Sequence, residues 1–277
     1  MKDLEQFLNS EFRKLSKLDF VQIVPDYRGR NAEFYDAIQG EFQKDVQFYL
    51  NKIGKGPLKI LELGSGTGRI AIPLAKAGHT VYALDNSDDM HNILMAKVPT
   101  ELKNRIIPIK ASMTDFNIGV RFDYVILGLN TIFALAEGDD RIRCFKLVRK
   151  HLKEEGCFLI DLMLPSPEDL KNTKGKYSFS ILEREKGKRC FSMVFSKYDA
   201  KLQLMILNFL SIDVGQDGKA KFFITPAVEY YPSPGEMKLL LCNSGFEIES
   251  FWCDYEGTPF GDDDTKRDLV ICARIAK

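Results

Sequence analysis

The sequence predicts an α/β fold in which an antiparallel β segment interrupts a regular alternation of strands and helices. In residues 58–77, a short apolar run stops at three closely spaced glycines, and an apolar pattern with helical period follows at once. Strand and helix patterns then alternate as far as residue 163. Residues 176–231 instead read as three or four strands rich in Phe, Ile, Val and Tyr, which is too long a stretch for a loop.

The glycine turn is the most informative stretch of the chain. Gly64, Gly66 and Gly68 are spaced two apart between a strand and a helix, the arrangement that opens a nucleotide-binding βα unit. Glycine suits this place because a side chain would keep the backbone amides away from a ligand, and because the turn can need positive φ. A dinucleotide fingerprint requires its last glycine at position 69, which is Arg69 here. The spacing therefore excludes a dinucleotide fingerprint. The alternative to a nucleotide-binding turn is a tight turn that binds no ligand.

The other elements follow from apolar periodicity and turn residues. Amphipathic helix patterns cover parts of residues 1–53. Gly187-Lys188 and residues 215–218 supply hairpin turns in the antiparallel segment. Further strands are predicted at residues 80–84, 106–109, 122–127, 157–163, 247–253 and 268–273, and helices at 139–151 and 233–243.

Composition narrows the class of protein. Lys plus Arg and Asp plus Glu number 39 each, so the net charge is zero, which argues against general affinity for nucleic acid. The six cysteines form no Cys-x-x-Cys pair, so we expect small buried residues in a reducing compartment, with no disulfide framework and no metal site. The acidic N-terminal residues are unlike a signal peptide, and no apolar run approaches the ~20 residues that cross a bilayer. We therefore expect a cytoplasmic protein without membrane association.

Residues 62–68 resemble motif I, Glu-x-Gly-x-Gly-x-Gly, of the class I S-adenosylmethionine (SAM) dependent methyltransferases. Residues 148–161 resemble the helix and fifth strand of that family, and the overall layout is similar to sugar N-methyltransferases and relatives of glycine N-methyltransferase. The resemblance implies a Rossmann-like seven-stranded sheet. It divides the chain into four parts. Residues 1–53 would form an N-terminal helical lid, and residues 54–164 the SAM-binding core. Residues 165–232 would form an antiparallel β insert over the substrate side, and residues 233–277 a C-terminal helix with the closing hairpin.

The resemblance also implies that SAM is the cofactor and S-adenosyl-L-homocysteine the product. Tyr35 would close over the cofactor, and Met90 would form part of its wall. Leu129 and Asn130, after the fourth strand, would meet the methionine end of SAM or the substrate. The residues implied to bind the cofactor are Tyr35, Glu62, Gly64, Ser65, Gly66, Gly68, Asp85, Asn86, Met90, Met113, Thr114, Asp115, Leu129 and Asn130.

Asp85 ends the second predicted strand, where its carboxylate can accept both hydroxyl groups of a ribose. Its alternative role is to cap the next helix, although Asn86, Ser87 and Asp88 are also able to cap and would leave Asp85 free for the sugar.

The loop at residues 111–116 matches the family's acidic loop, whose side chains meet the adenine. Asp115 would accept the exocyclic amine, and Met113 and Phe116 would offer apolar faces to the ring. The alternative is a surface loop with a buried Phe116.

The sequence indicates the residues that would bind the methyl acceptor much less clearly than those that would bind the cofactor. His79, His91 and His151 all fall in scaffold positions, which leaves no obvious histidine base. An amine acceptor needs only to be neutral, so we expect an amine nitrogen rather than an oxygen. The catalytic candidates are Tyr27, Tyr230 and Glu229, with Asp213 and Tyr231 as further residues to test. Tyr27 and Tyr35 are lid candidates, and the alternative for every one of these residues is a structural one.

The sequence therefore predicts a SAM-dependent methyltransferase that acts on a small molecule. Two alternatives stay open: an RNA methyltransferase, which would need a basic patch near the pocket, and a SAM-binding sensor or scaffold that transfers nothing. Asn-Pro-Pro-Tyr, the signature of DNA adenine and protein glutamine methylation, is absent from the stretch that begins at Gly128. The β insert is a candidate surface for a homodimer.

Overall fold

The computed structural model describes residues 4–25, 27–183, 189–263 and 265–277. Within these ranges, no helix is both long and apolar enough to cross a membrane. The α-helices are α1 (Ser10–Leu15), α2 (Gly29–Gln39), α3 (Lys44–Ile53), α4 (Ala71–Lys76), α5 (Asp88–Lys97), α6 (Gly138–His151), α7 (Pro167–Lys171) and α8 (Pro234–Asn243). The strands are β1 (Val21–Ile23), β2 (Lys59–Leu63), β3 (Thr80–Asp85), β4 (Ile106–Lys110), β5 (Phe122–Leu127), β6 (Leu152–Met163), β7 (Lys176–Glu183), β8 (Arg189–Asp199), β9 (Leu204–Val214), β10 (Ala220–Tyr230), β11 (Phe246–Trp252) and β12 (Asp268–Ile275).

The chain forms two compact units. The larger consists of residues 32–164 and 232–277, and the smaller of residues 1–31 and 165–231. We call them the sheet unit and the insert unit.

The sheet unit is built on a seven-stranded sheet in the order β11-β12-β6-β5-β2-β3-β4. The strands from β6 to β4 run parallel to one another, whereas β12 is antiparallel to β6 and β11 is antiparallel to β12. This is the predicted Rossmann-like sheet with its closing hairpin. The direction of the strand order reverses between β2 and β5, and ligands of such sheets bind at the carboxyl ends of the strands at this point.

Apolar residues explain why β2 and β5 lie at the centre of the sheet. Ile60, Leu61 and Leu63 in β2 are fully buried, as are the last three residues of β5. Such continuous apolar runs are typical of parallel strands covered on both faces.

Residues 32–53 belong to the sheet unit, whereas the sequence predicts that residues 1–53 form a separate lid. The reason is the apolar face of α3. Val46, Phe48, Tyr49 and Ile53 are buried in the same core as β2 and α4, so this helix is part of the scaffold. The boundary between the two units therefore falls at residues 31 and 32.

The insert unit contains a five-stranded sheet in the order β1-β10-β9-β8-β7. Strands β7 to β10 are paired antiparallel, and β1 pairs parallel with β10. The predicted turn at residues 215–218 joins β9 to β10, where the Gly218 amide donates to the Gly215 carbonyl. The other predicted turn, Gly187-Lys188, lies outside the described residues.

Strand β7 is at the edge of this sheet and carries exposed apolar side chains. Phe179 and Ile181, on one face of the strand, are 76% and 62% exposed. This face belongs to the insert that the sequence offers as a dimer surface, and the dimer itself stays a prediction.

Two cysteines lie together that the sequence does not relate. The structure brings the sulfur atoms of Cys157 and Cys272 into contact across the adjacent strands β6 and β12, whereas the sequence predicts no disulfide framework. The Cα atoms are 6.5 Å apart, within the range that a disulfide spans. The two residues are separated by 115 positions, so only the strand pairing reveals their proximity. Of the other cysteines, Cys144, Cys190 and Cys253 are buried.

Candidate active site

The glycine turn after β2 needs glycine at all three positions. Gly64, Gly66 and Gly68 have φ values of 67°, 51° and 83°, a region that favours glycine. A Cβ atom on Gly64 would lie 2.5 Å from Cγ2 of Thr131, and one on Gly68 would collide with Leu94. The turn therefore packs closely against its neighbours, and its backbone amides lie at the carboxyl end of the central strand.

Asp85, at the end of β3, is bound directly to this turn. Its carboxylate accepts hydrogen bonds from the Gly66 amide (2.9 Å) and the Ser87 amide (2.8 Å). The cap of α5 is provided by Ser87, whose hydroxyl accepts from the Met90 amide. The alternative role of Asp85 as the helix cap is therefore filled by Ser87. Its half-buried carboxylate keeps further lone pairs for a ligand.

Tyr35 and Met90 meet at the middle glycine. A Cβ atom on Gly66 would lie 3.9 Å from both the Met90 sulfur and a ring carbon of Tyr35. Burial raises the pKa of the Tyr35 hydroxyl to about 12, although Arg69 opposes this shift with its charge and a hydrogen bond. Tyr35 is thus a neutral aromatic residue beside the turn.

Glu62, at the first position of the motif, is a buried carboxyl group with acceptor capacity left over. Within the described part of the chain, its Oε2 atom has no hydrogen-bond partner, and the same holds for the buried Ser65 hydroxyl. Burial raises the pKa of Glu62 to about 8, an effect that the Arg69 charge opposes and the Asp45 and Asp85 carboxylates reinforce. A cation next to Glu62 would favour its charged form.

Arg69, at the position that excludes the dinucleotide fingerprint, forms a buried ion pair. Its guanidinium donates two hydrogen bonds to the carboxylate of Asp45 on α3, which is fully buried, and another to the Phe42 carbonyl (2.8 Å). Asp36 on α2 accepts from the Thr67 hydroxyl (2.5 Å). These bonds hold α2 and α3 against the glycine turn.

The loop at residues 111–116 is held at the end of β3. The Ala111 amide donates to the Asp85 carbonyl (3.1 Å), and the Asp115 amide donates to the Ser112 carbonyl (2.9 Å). Phe116 is buried against the ring of His151, with ring centroids 4.7 Å apart. This placement corresponds to the structural alternative for Phe116, because its ring packs into the core. Met113 and Thr114 are half-buried and Asp115 is exposed.

The turn after β5 contains two residues in an unusual backbone conformation. Leu129 and Asn130 have φ values of 47° and 62°. The Asn130 side-chain oxygen accepts from the Met163 amide (2.6 Å). The Leu129 amide donates to the buried carboxylate of Asp161 (2.8 Å), which also accepts from the hydroxyl groups of Tyr49 and Tyr255.

Comparison with known proteins shows what part of this arrangement resembles. A family model described as a methyltransferase domain matches residues 60–156, a stretch that contains the glycine turn, Asp85 and the turn after β5. This stretch, about a third of the chain, is therefore similar to a methyltransferase domain.

Three similar proteins illustrate the relationship. A protein of Geobacillus sp. (strain WCH70), named as a methyltransferase, is 32% identical over 132 residues, which are 48% of this chain and 52% of that protein. The cypemycin N-terminal methyltransferase of Streptomyces sp. is 30% identical over 107 residues, 39% of this chain and 42% of the relative. The chain thus matches about half the length of these curated relatives. The solved structure of the CcbJ methyltransferase from Streptomyces caelestis is 25% identical, with a TM-score of 0.71 and coverage of 91% of this chain and 98% of that chain.

The residues present fit SAM, the cofactor that the family resemblance implies. SAM carries a positively charged ammonium group and sulfonium, and Glu62 offers an unfilled, buried carboxylate oxygen beside the turn. The ribose and the methionine carboxylate need acceptors and amide donors respectively, and Asp85 and the glycine turn offer them. The predicted cofactor residues thus lie at one edge of the seven-stranded sheet, at the carboxyl ends of β2, β3, β4 and β5 and on α2 and α5. They are Tyr35, Glu62, Gly64, Ser65, Gly66, Gly68, Asp85, Asn86, Met90, Met113, Thr114, Asp115, Leu129 and Asn130. Their individual binding roles stay predictions.

The predicted catalytic residues lie in the insert unit. Tyr27 is 46% exposed, Tyr230 is buried, and Glu229 accepts a hydrogen bond from the Tyr231 hydroxyl (2.9 Å). Asp213 forms two hydrogen bonds of 2.6 Å with the Arg30 guanidinium. Asp213, a further candidate base from the sequence, is thus held in an ion pair.

The sequence patterns did not indicate several residues that contact the glycine turn or bind near the turn after β5, namely Asp36, Asp45, Tyr49, Asp161 and Tyr255. Asp161 did carry a signal, because it lies near the end of a buried parallel strand as Asp85 does. The tyrosines and Asp45 carried none, because their partners are distant in the chain.

Proposed function

We propose that this chain transfers the methyl group of SAM to an amine nitrogen of a small molecule. The observation that carries the proposal is the bond between the Asp85 carboxylate and the Gly66 amide, which joins the glycine turn to the tip of the next strand in a methyltransferase domain. Glu62, with its unfilled acceptor, supports the same ligand.

In this proposal the chain's own residues hold and orient the cofactor. Asp85 binds the ribose hydroxyl groups, the glycine turn binds the methionine end, and Tyr35 and Met90 enclose it beside Gly66. Asp115 and its loop receive the adenine. Bound SAM supplies an electrophilic methyl group on a sulfonium. Holding two reactants in line and away from water is worth up to ~7 to 11 kcal/mol in favourable model reactions.

The placement of the histidines favours an amine acceptor. The His79 ring is hydrogen-bonded to the Gly54 carbonyl, the His91 ring to the Ala83 carbonyl, and both ring nitrogens of His151 contact the backbone. All three rings are thus bonded to backbone atoms of the scaffold, and a neutral amine needs no general base. The similar cypemycin enzyme is named for action on an N-terminus, which is an amine. Tyr27, Glu229 and Tyr230 remain our candidates for residues that act on the acceptor.

The zero net charge supports a small molecule rather than RNA as acceptor. We also propose that the insert unit is the surface through which two copies would associate.

The test is transfer of isotopically labelled methyl from SAM to matched pairs of compounds, such as an amino sugar and the corresponding hydroxyl sugar. We expect label only on the amine, with S-adenosylhomocysteine as coproduct, and a rate that rises with pH as the amine loses its proton. Label on the hydroxyl partner alone would contradict the amine assignment. Label on RNA that is lost steeply with added salt would favour the RNA alternative. SAM binding without transfer to any compound would favour the sensor.

A further inference from the structure

The turn at residues 128–131 is held in a conformation that its side chains disfavour. Leu129 and Asn130 both have left-handed φ values, a conformation that residues with a Cβ atom disfavour. Such a conformation persists only where the surroundings enforce it. Within the turn, the Thr131 hydroxyl donates to the Gly128 carbonyl (2.6 Å).

Asp161 is the residue that enforces it. Its side chain is 1% exposed, its carboxylate accepts from the Leu129 amide (2.8 Å), and its backbone carbonyl accepts from the Asn130 amide (3.3 Å). The two left-handed residues are therefore both bound to Asp161. Its carboxylate is in turn oriented by the hydroxyl groups of Tyr49 on α3 and Tyr255 after β11, the latter at 3.0 Å.

The same turn packs directly on the glycine turn. A Cβ atom on Gly64 would lie 2.5 Å from Thr131, and one on Gly128 would lie 3.2 Å from the Asp161 carboxylate. The 128–131 turn therefore packs closely against the glycine turn through Thr131 and against Asp161 through Gly128.

We propose that Asp161 is a positioning residue for the methyltransferase site, which holds Leu129 and Asn130 left-handed so that the 128–131 turn stays against the glycine turn. This inference rests on the proposed function, because it concerns the same cofactor site. Asp161 acts through the Leu129 amide and is not itself placed against the cofactor.

The protonation of Asp161 makes this role measurable. Burial raises the pKa of Asp161 to about 7, the Asp45 carboxylate on α3 adds to the shift, and the hydrogen bonds from Tyr49, Leu129 and Tyr255 oppose it. Asp45 itself faces Arg69, and Tyr255 lies within the electrostatic reach of Asp268. A charged acceptor forms a stronger hydrogen bond than a neutral one. The Leu129 bond, and with it the turn, is therefore held more firmly above pH 7 than below it.

The stability of the fold depends on pH in the opposite direction to the strength of the Leu129 hydrogen bond. Because the pKa of Asp161 is higher in the folded than in the unfolded chain, its contribution to stability is present below about pH 4 and is lost as the pH rises through 7. If Asp161 only stabilised the fold, its ionisation would change the melting temperature but would not strengthen ligand binding above pH 7. Ligand affinity and melting temperature therefore distinguish the two roles.

The experiment measures the affinity of S-adenosylhomocysteine by calorimetry between pH 5.5 and 8.5 for the parent protein, Asp161→Asn and Asp123→Asn. The control carboxylate, Asp123, lies at the start of β5, at the opposite end of the sheet, and pairs with Lys153. We expect Asp161→Asn to bind at least tenfold more weakly at pH 8 and to lose the part of the pH dependence centred near 7. Asp123→Asn is expected to match the parent. Glu62 also titrates in this range. The role of Asp161 is therefore judged from the difference between the pH profiles of affinity of Asp161→Asn and of the parent protein.

Tyr255→Phe gives a second test if Asp161→Asn does not fold. It removes one donor to Asp161, so the pKa of Asp161 rises further and the midpoint of the affinity profile moves to higher pH. Parent-like affinity and pH profile in Asp161→Asn, or an unmoved midpoint in folded Tyr255→Phe, would overturn the positioning role while leaving the proposed function intact. Absence of binding by the parent protein at every pH would overturn both.

Discussion

Asp85→Ala is expected to weaken SAM binding by about two to four orders of magnitude, the largest effect on ligand affinity that we predict. In the proposed site this carboxylate accepts two ribose hydroxyl groups, and hydrogen bonds to a charged group contribute ~1.5 to 3 kcal/mol each. The substitution also removes the acceptor of the Gly66 amide, which is bound at 2.9 Å. The measurement is the dissociation constant of SAM by calorimetry at fixed pH and salt.

Asp88→Ala is the matched control for this prediction. Asp88 is three residues further along, is exposed, and pairs with Lys110. Its loss should leave SAM affinity within about threefold, because exposed pairs contribute little. If Asp85→Ala also stays within threefold of the parent, the ribose assignment is wrong.

Arg69→Met is expected to lower the free energy of unfolding by about 3–5 kcal/mol, the largest effect on stability that we predict. Arg69 and Asp45 form a buried pair, with side chains 8% and 0% exposed. Removal of the cation leaves the Asp45 charge buried without its partner, which costs more than the pair itself contributes. Burial alone would lower the pKa of Arg69, but the hydrogen bond and charge of Asp45 outweigh burial and raise it. The arginine thus stays charged throughout the accessible pH range.

Urea unfolding monitored by circular dichroism measures this effect. Lys110→Met, which breaks the exposed pair with Asp88, is the control and should cost less than about 1 kcal/mol. The double variant Arg69→Met with Asp45→Leu should recover most of the loss, because it buries no unpaired charge. Equal costs for Arg69→Met and Lys110→Met would contradict the structural role of the pair.

The local part of the site was predictable from sequence. The apolar run of β2, the three glycines and Asp85 at the tip of β3 are short-range patterns whose geometry follows from strand and turn chemistry. The seven-stranded sheet and its closing hairpin also followed from such patterns and from the family resemblance, and the strand order confirms them.

The long-range part of the site was not predictable in this way. Arg69 was recognised only as a departure from the dinucleotide pattern, because its partner Asp45 is 24 residues away on another helix. Asp161 receives its donors from Tyr49, 112 residues before it, and Tyr255, 94 residues after it. No local periodicity encodes such contacts, since tertiary packing alone brings α3, β6 and the loop after β11 together. The same reason explains why the sequence did not predict the contact between Cys157 and Cys272 or the place of α3 in the scaffold.

The most direct test of the central claim, that the glycine turn and its two carboxylates bind an adenosyl sulfonium, is a calorimetric titration of the parent protein with SAM and, separately, with NAD⁺. The account predicts one SAM per chain and no heat of binding from NAD⁺ under the same conditions. Binding of NAD⁺ in place of SAM, or of neither compound, would contradict it.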